Sequence, residues 1–314
     1  MKEIIIQRSR VLKSIREFFD SGDFVEVETP NLIPYENPDD NVENVRVSFE
    51  DFRGREYRWF LHTSPEFFMK RLVWYGFDRI YQVCKVYRNG EVTELHNVEF
   101  TMIEWYRKGA TYKEGIEETL ELISASAESL GKKVIEWKGL KVNLFEREEL
   151  TVEEAFKEFA GVKNVFDRDE VEAVTREDYR TGFFKLLVER VEPAISKIPS
   201  PVVLKDYPPE FSAMSQVRNG VAERFEVYVA GIELANGYTE LRHYEDYLKK
   251  MKEKGERAVD RGFLNLLKVR PLPQCEGVAL GLDRLLMVLA GKRSIREVIP
   301  FSFHLLEGEV LPTP

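Results

Sequence analysis

The chain has 314 residues, 43% of them apolar, enough to bury one large core or two modest ones. A formal net charge of −9 argues against a nonspecific nucleic-acid coat. No run of about 18 apolar residues offers a membrane span, and the N-terminus Met1-Lys2-Glu3-Ile4-Ile5-Ile6 lacks the long apolar core of a signal peptide.

Residues 4–21 carry Val11, Leu12, Ile15, Phe18 and Phe19 at helical spacing, and Ser21-Gly22 ends the helix. Phe24 to Thr29 alternates as a short strand closed by Pro30. Residues 34–45, rich in Pro, Asp and Asn, read as a mobile loop. Hairpin-like strands are expected at 45–52 and 57–61, and a helix opens at Ser64-Pro65-Glu66, where proline and an acid suit a first turn. A strand follows over 80–87. An amphipathic helix spans 111–131, and one or two further helices with acidic, solvated faces fall within 140–195. Pro199 to Pro209 reads as an extended crossing, strands return at 224–229 and 231–235, and a charged helix covers about 241–261. Gly277 to Gly291 reads as a strand, a glycine kink and a buried helix. Cys84 and Cys275, in separate apolar contexts, read as buried thiols of a reducing cytoplasm. Strands joined by short turns, with helices clustered between them, point to an antiparallel sheet with helical cover.

The most telling stretch is Tyr87 to Tyr106. Arg88 leads into a polar loop, and the returning strand Phe-Thr-Met-Ile-Glu-Trp-Tyr sets Glu104 among aromatic residues. A buried carboxylate there costs several kcal/mol unless a cation meets it. A hairpin would bring Arg88 and Glu104 into one site, and a guanidinium beside carboxylates suits a ligand with both phosphate and amine, as in adenylation of an amino acid. That reaction is an in-line attack on the α-phosphate of ATP and needs positioning and charge stabilisation more than a base. Arg88 and Arg284 are the catalytic candidates, with Phe100 able to stack under adenine opposite Arg284. Glu226 and Glu233, on either side of a turn at Ala230-Gly231, read as carboxylates without a cationic neighbour, suited to Mg²⁺. Glu66, Glu104, Tyr106, Asn236 and Glu240 form an acid-rich set fit for more than one ammonium group, hence for a diamino acid such as lysine. His96 and Asn97 are candidates for phosphate or ribose.

Taken together, these segments resemble class II aminoacyl-tRNA synthetases. Phe24 to Pro30 resembles the first motif of that family, Tyr87 to Glu104 the second and Gly277 to Arg284 the third, in order and over nearly the whole chain. Thr63-Ser64-Pro65-Glu66, Glu99 to Tyr106, and Glu223 to Glu226 with Gly231 to Leu241 are similar to the lysyl branch. Two features are more similar to the stand-alone elongation factor P–lysine ligases. The chain begins at the first-motif helix, leaving no room for an anticodon-binding barrel, and Ala235 stands where lysyl-tRNA synthetases carry glycine.

The resemblance implies an α+β class II synthetase catalytic fold, a mainly antiparallel sheet flanked by helices. It implies a single domain over 1–314 with a helical insertion at about 111–195 and no anticodon-binding domain. It implies activation of lysine or (R)-β-lysine with ATP and Mg²⁺, and transfer to a lysine side chain of elongation factor P. The chain is then a cytoplasmic homodimer paired through residues 4–30, needing neither tRNA nor membrane. Arg88 would grip the carboxylate and α-phosphate, Phe100 and Arg284 would sandwich adenine, and His96 and Asn97 would lie by the nucleotide. Glu226 and Glu233 would hold Mg²⁺. Glu66 would take the backbone-proximal amine, Glu104, Tyr106 and Glu240 the ε-ammonium, with Asn236 near the carboxylate and the Ala235 methyl reshaping the pocket. Two positions depart from the family. Gly90 replaces its usual glutamate, with Glu91 displaced by one, and Glu94-Leu95 replace a basic residue before His96, which implies weaker ATP contact. Two other readings use the same residues: a paralogue making a different adenylate or amide, and a non-catalytic lysine-binding module.

Overall fold

A nine-stranded sheet organises the residues that this computed structural model describes, 1–39 and 42–310. From one edge its strands run Val25–Glu26, Arg79–Tyr87, Glu99–Lys108, Cys275–Gly281, Ile232–Thr239, Val221–Val229, Val202–Tyr207 and Glu148–Thr151, with Val217–Arg218 paired onto Val221–Val229. Pairing is antiparallel except at the two edges, where Val25–Glu26 and Glu148–Thr151 lie parallel to their neighbours. The α+β expectation, with a mainly antiparallel sheet, holds.

Strand alternation separates core from site. Along Glu99–Lys108, Ile103 and Trp105 join the large hydrophobic core, whereas Phe100, Met102, Glu104 and Tyr106 face a cavity on the other side. The helices Lys2–Ser21, Tyr112–Ser129 and Leu282–Ala290 cover the core face. Lys2–Ser21 seals it with Ile4, Val11, Ile15 and Phe19, the last stacked on Tyr81 at 4.4 Å between ring centres. The helices Glu66–Tyr75, Tyr244–Lys254 and Arg261–Val269 share a second core with Tyr106 and Cys275. Both cysteines are free, Cys275 buried and Cys84 partly so.

Several expectations shift. The strand expected over 24–29 is only Val25–Glu26. The loop at 34–45 is irregular where described, and Asp40 and Asn41 lie outside the described residues. The segment after residue 131 is not purely helical. It holds the hairpin Val134–Trp137 with Leu140–Asn143, and its Glu148–Thr151 strand extends the main sheet. Its helical turns at 152–160, 168–175 and 179–195 are not merely solvated, because Phe156, Val171, Phe183 and Val191 close a core of their own. Pro199 to Pro209 contains the sheet strand Val202–Tyr207, since its four prolines, at 199, 201, 208 and 209, all fall outside the ladder. The helix expected over 241–261 breaks at Gly255 (φ 127°), and a second helix starts at Arg261, capped by Asp260. No described helix is long and apolar enough to cross a membrane.

Candidate active site

A cavity of about 380 Å³ opens on the front of the sheet, and most of the expected residues line it. They are Glu66, Arg88, His96, Asn97, Phe100, Glu104, Tyr106, Glu233, Ala235, Asn236, Glu240 and Arg284. Glu226 is the exception.

One end of the cavity is acidic. Pro65 turns the chain into the helix Glu66–Tyr75, and the Ser64 hydroxyl accepts from the Glu66 amide while donating to Glu104 at 2.6 Å. The Tyr106 hydroxyl donates to the other Glu104 oxygen at 2.7 Å. Glu104 is 2% exposed, and burial together with Glu66 pushes its carboxyl up to about 7. Glu240, 1% exposed, is pushed up to about 8 by burial, with Lys70 pulling it back. Gly277 makes the approach possible, because a side chain there would run into Glu240 Oε1 and the Tyr106 ring.

The other end is cationic. No described residue accepts a hydrogen bond from the Arg88 side chain; its Nε is buried and unpartnered. Its guanidinium lies 5.1 Å from the Phe100 ring centre and 3.7 Å from Glu91. A partly exposed guanidinium with unfilled donors suits an anionic ligand. Arg284 is more occupied: it donates to the carbonyls of Leu95 and Glu233 and to His96 Nε2 at 2.5 Å. Burial and Arg284 lower the His96 pKa, so its neutral ring accepts at Nε2 and Nδ1 donates to Thr93. The Asn97 amide is engaged at both ends, donating to the Glu99 carbonyl and accepting from the Phe303 amide. Asn236 Oδ1 is buried without a partner.

The carboxylate pair on the Val221–Val229 and Ile232–Thr239 hairpin is not free of cations. Arg224, two residues before Glu226, bonds it at 2.5 Å, and the hydroxyls of Tyr207 and Tyr228 donate to its second oxygen. Alternation along the strand puts Arg224 and Glu226 on one face, which the seven-residue spacing alone did not reveal. Glu233 lines the cavity with a side chain 41% exposed, 3.7 Å from Arg284. Although much of this side chain is open to the cavity mouth, the enclosing protein and the Glu226 carboxylate raise its pKa. Among the described residues no three acidic, histidine or cysteine side chains form a metal cluster. Glu233 has room for a cation, whereas Glu226 could reach one only by giving up a donor.

Sequence reading missed Lys70, which is buried with its ammonium 2.5 Å from Glu66 and 2.6 Å from Glu240. A Glu-x-x-x-Lys step on an expected helix was the available signal. It also missed Arg180 and Phe184, which reach the cavity rim from the 179–195 helix. Glu91, though displaced in sequence, does line the cavity. Glu94 does not, because Arg296 holds its carboxylate at 3.4 Å and the Ile295 amide bonds its carbonyl.

The family model of class II tRNA synthetases (D, K and N) matches residues 1–304. An elongation factor P–(R)-β-lysine ligase homolog of Aquifex aeolicus is 35% identical over 296 residues, 90% of this chain and 94% of that protein. The elongation factor P–(R)-β-lysine ligase of Pasteurella multocida is 33% identical over 327 residues, 96% of this chain and 95% of its own. The lysine–tRNA ligase of Methanoculleus marisnigri is 32% identical over 329 residues, 96% of this chain but 62% of its own.

The Glu104 carboxyl stays protonated in the fold at a pH where the unfolded chain has already lost that proton. Ligand-free stability should therefore fall as pH rises from about 4.5 through about 7. Denaturant titrations at pH 5 and pH 8.5 should show Glu104→Gln losing less stability over that interval than the parent, by on the order of 2–3 kcal/mol. Parallel pH profiles would contradict the assignment.

Proposed function

The chain belongs to the class II tRNA synthetases of the D, K and N group, and from that premise we propose that it activates lysine or (R)-β-lysine with ATP and passes the aminoacyl group to a lysine side chain of elongation factor P, without tRNA. One observation carries the reading: a buried acid cluster and an arginine with unfilled hydrogen-bond donors face the same cavity.

The substrate lies between the two ends. Glu104, Tyr106 and Glu240 receive the ε-ammonium and Glu66 the amine nearer the carboxylate, where Asn236 also reaches. Arg88 spans the carboxylate and the α-phosphate, holding nucleophile and electrophile in line. The carboxylate attacks the α-phosphorus, pyrophosphate leaves, and no protein base is needed because the nucleophile is already ionised. Phe100 offers a ring face to adenine, with Arg284 on the far side and His96 and Asn97 bordering the nucleotide. Mg²⁺ would neutralise phosphate charge. Glu233 fits that ion together with phosphate oxygens, while Glu226 mainly anchors Arg224. Preference for the β isomer is supported by relatives named for (R)-β-lysine. Ala235, 2% exposed, borders the cavity, but its register with Val227 and Leu280 turns its methyl into the hydrophobic core, against the expectation that the methyl reshapes the pocket.

The protein acceptor is supported by relatives named for that ligation, which this chain matches over most of their length. A twofold mate is supported by Ile5 and Ile6, each 44% exposed near the start of the Lys2–Ser21 helix, and by Val25, 49% exposed on the edge strand Val25–Glu26. Sedimentation at micromolar concentration should show a dimer, and a monomer there rules the pairing out.

ATP–pyrophosphate exchange should be stimulated by lysine and more strongly by (R)-β-lysine. Arg88→Ala should lower it by about 10²–10³-fold, the loss typical of removing one transition-state donor. Exchange indifferent to every lysine isomer would sink the proposal.

A further inference from the structure

The proposed reaction gives Lys70 no task, yet its placement is costly. Its side chain is 0% exposed and its ammonium sits 2.5 Å from Glu66 Oε1 and 2.6 Å from Glu240 Oε2. The rings of Phe67 and Tyr247 flank it at 5.7 and 5.3 Å. Burial opposes its charge, but Glu240 and Glu66 outweigh burial and hold its pKa well above the ordinary lysine value. It does not line the cavity, whereas Glu66, Glu104 and Glu240 do. It is a cation lodged one layer behind the acids, beyond the reach of a ligand.

With every group ionised, three carboxylates against one ammonium leave two negative charges, which a diammonium amino acid neutralises. We propose that Lys70 is a positioning residue that sets specificity, an internal counter-ion that aims the Glu66 and Glu240 carboxylates at the two amines of the substrate. The inference rests on the lysine reading above. Without this ammonium the acids would face one another uncompensated, and Glu104 and Glu240, already pushed up to about 7 and about 8, would hold their protons more tightly still. A neutral carboxylic acid cannot compensate an ammonium, so amino-acid binding would weaken while nucleotide binding, at the far end, would not. The titratable groups facing Lys70 are Glu66 on its own helix, Glu240 after the Ile232–Thr239 strand, Tyr247 on the Tyr244–Lys254 helix and Cys275 on the next strand; Glu104 acts from Glu99–Lys108.

The test compares the parent with Lys70→Met, and with Lys70→Gln should the first variant not fold. In pyrophosphate exchange from pH 6 to 9, KM for lysine should rise at least about tenfold at pH 7, equal to about 1.4 kcal/mol. KM for ATP should stay within about twofold, less than 0.5 kcal/mol. The acid limb of the lysine KM profile should move up by about one pH unit, since losing a close cation raises a carboxylate pKa. A folded variant whose lysine profile overlies the parent's overturns the role, as does an equal loss for lysine and ATP, which marks a purely structural side chain. A parent that no lysine isomer stimulates overturns the lysine reading itself, and this role with it.

Discussion

Desolvated carboxylates must find cations. Glu66, Glu104 and Glu240 gather on the cavity side of the sheet, the last two almost wholly buried, and their mutual repulsion is met by Lys70 and two hydroxyls only in part. The remaining deficit of positive charge is the site's affinity for a ligand. Such a cluster is expensive in the empty protein, and evidence of that expense is the upward displacement of Glu104 and Glu240. A diammonium ligand relieves what the fold alone leaves strained. Cationic Arg88, at the other end of the same cavity, carries the opposite deficit and invites an anion.

The sheet makes this separation possible. A period of two along Glu99–Lys108 sends Ile103 and Trp105 into a hydrocarbon core and Glu104 and Tyr106 into the cavity, so one strand is both a structural beam and a binding wall. Its partner Cys275–Gly281 contributes Gly277, whose missing side chain lets Glu240 and Tyr106 converge. Substrate recognition is therefore tied to ladder register: a one-residue slip of this strand would turn Glu104 and Tyr106 into the core and the indole of Trp105 into the site.

Much of this was legible in the sequence because the strands that build the site are short-range hairpins with strong alternation. Glu104 among aromatic residues could only be buried, Arg88 fell into place with the motif-like segment 87–104, and Glu66 and Glu240 with the segments similar to the lysyl branch. What stayed hidden depended on long-range neighbours. Arg224 beside Glu226 was two residues away yet overlooked, because the pair was judged by the turn at Ala230-Gly231 and not by the shared strand face. Lys70 went unread because a Glu-x-x-x-Lys step alone marks an ordinary helix-surface pair, and only Glu240, far along the chain, turns that pair into a buried triad. The strand Val202–Tyr207 was masked by its flanking prolines, and the segment after residue 131 by acidic composition that hid the Phe156–Phe183 stack at 4.8 Å.

Calorimetry of amino-acid binding near pH 7, run in buffers of different ionisation enthalpy, tests the charge account most directly. Glu104 and Glu240 must lose protons to meet an arriving ammonium, so lysine should bind with net proton release, whereas norleucine, which lacks the ε-amine, should bind far more weakly and release none. Lysine heats that are the same in every buffer, or norleucine binding as tightly as lysine, would contradict it.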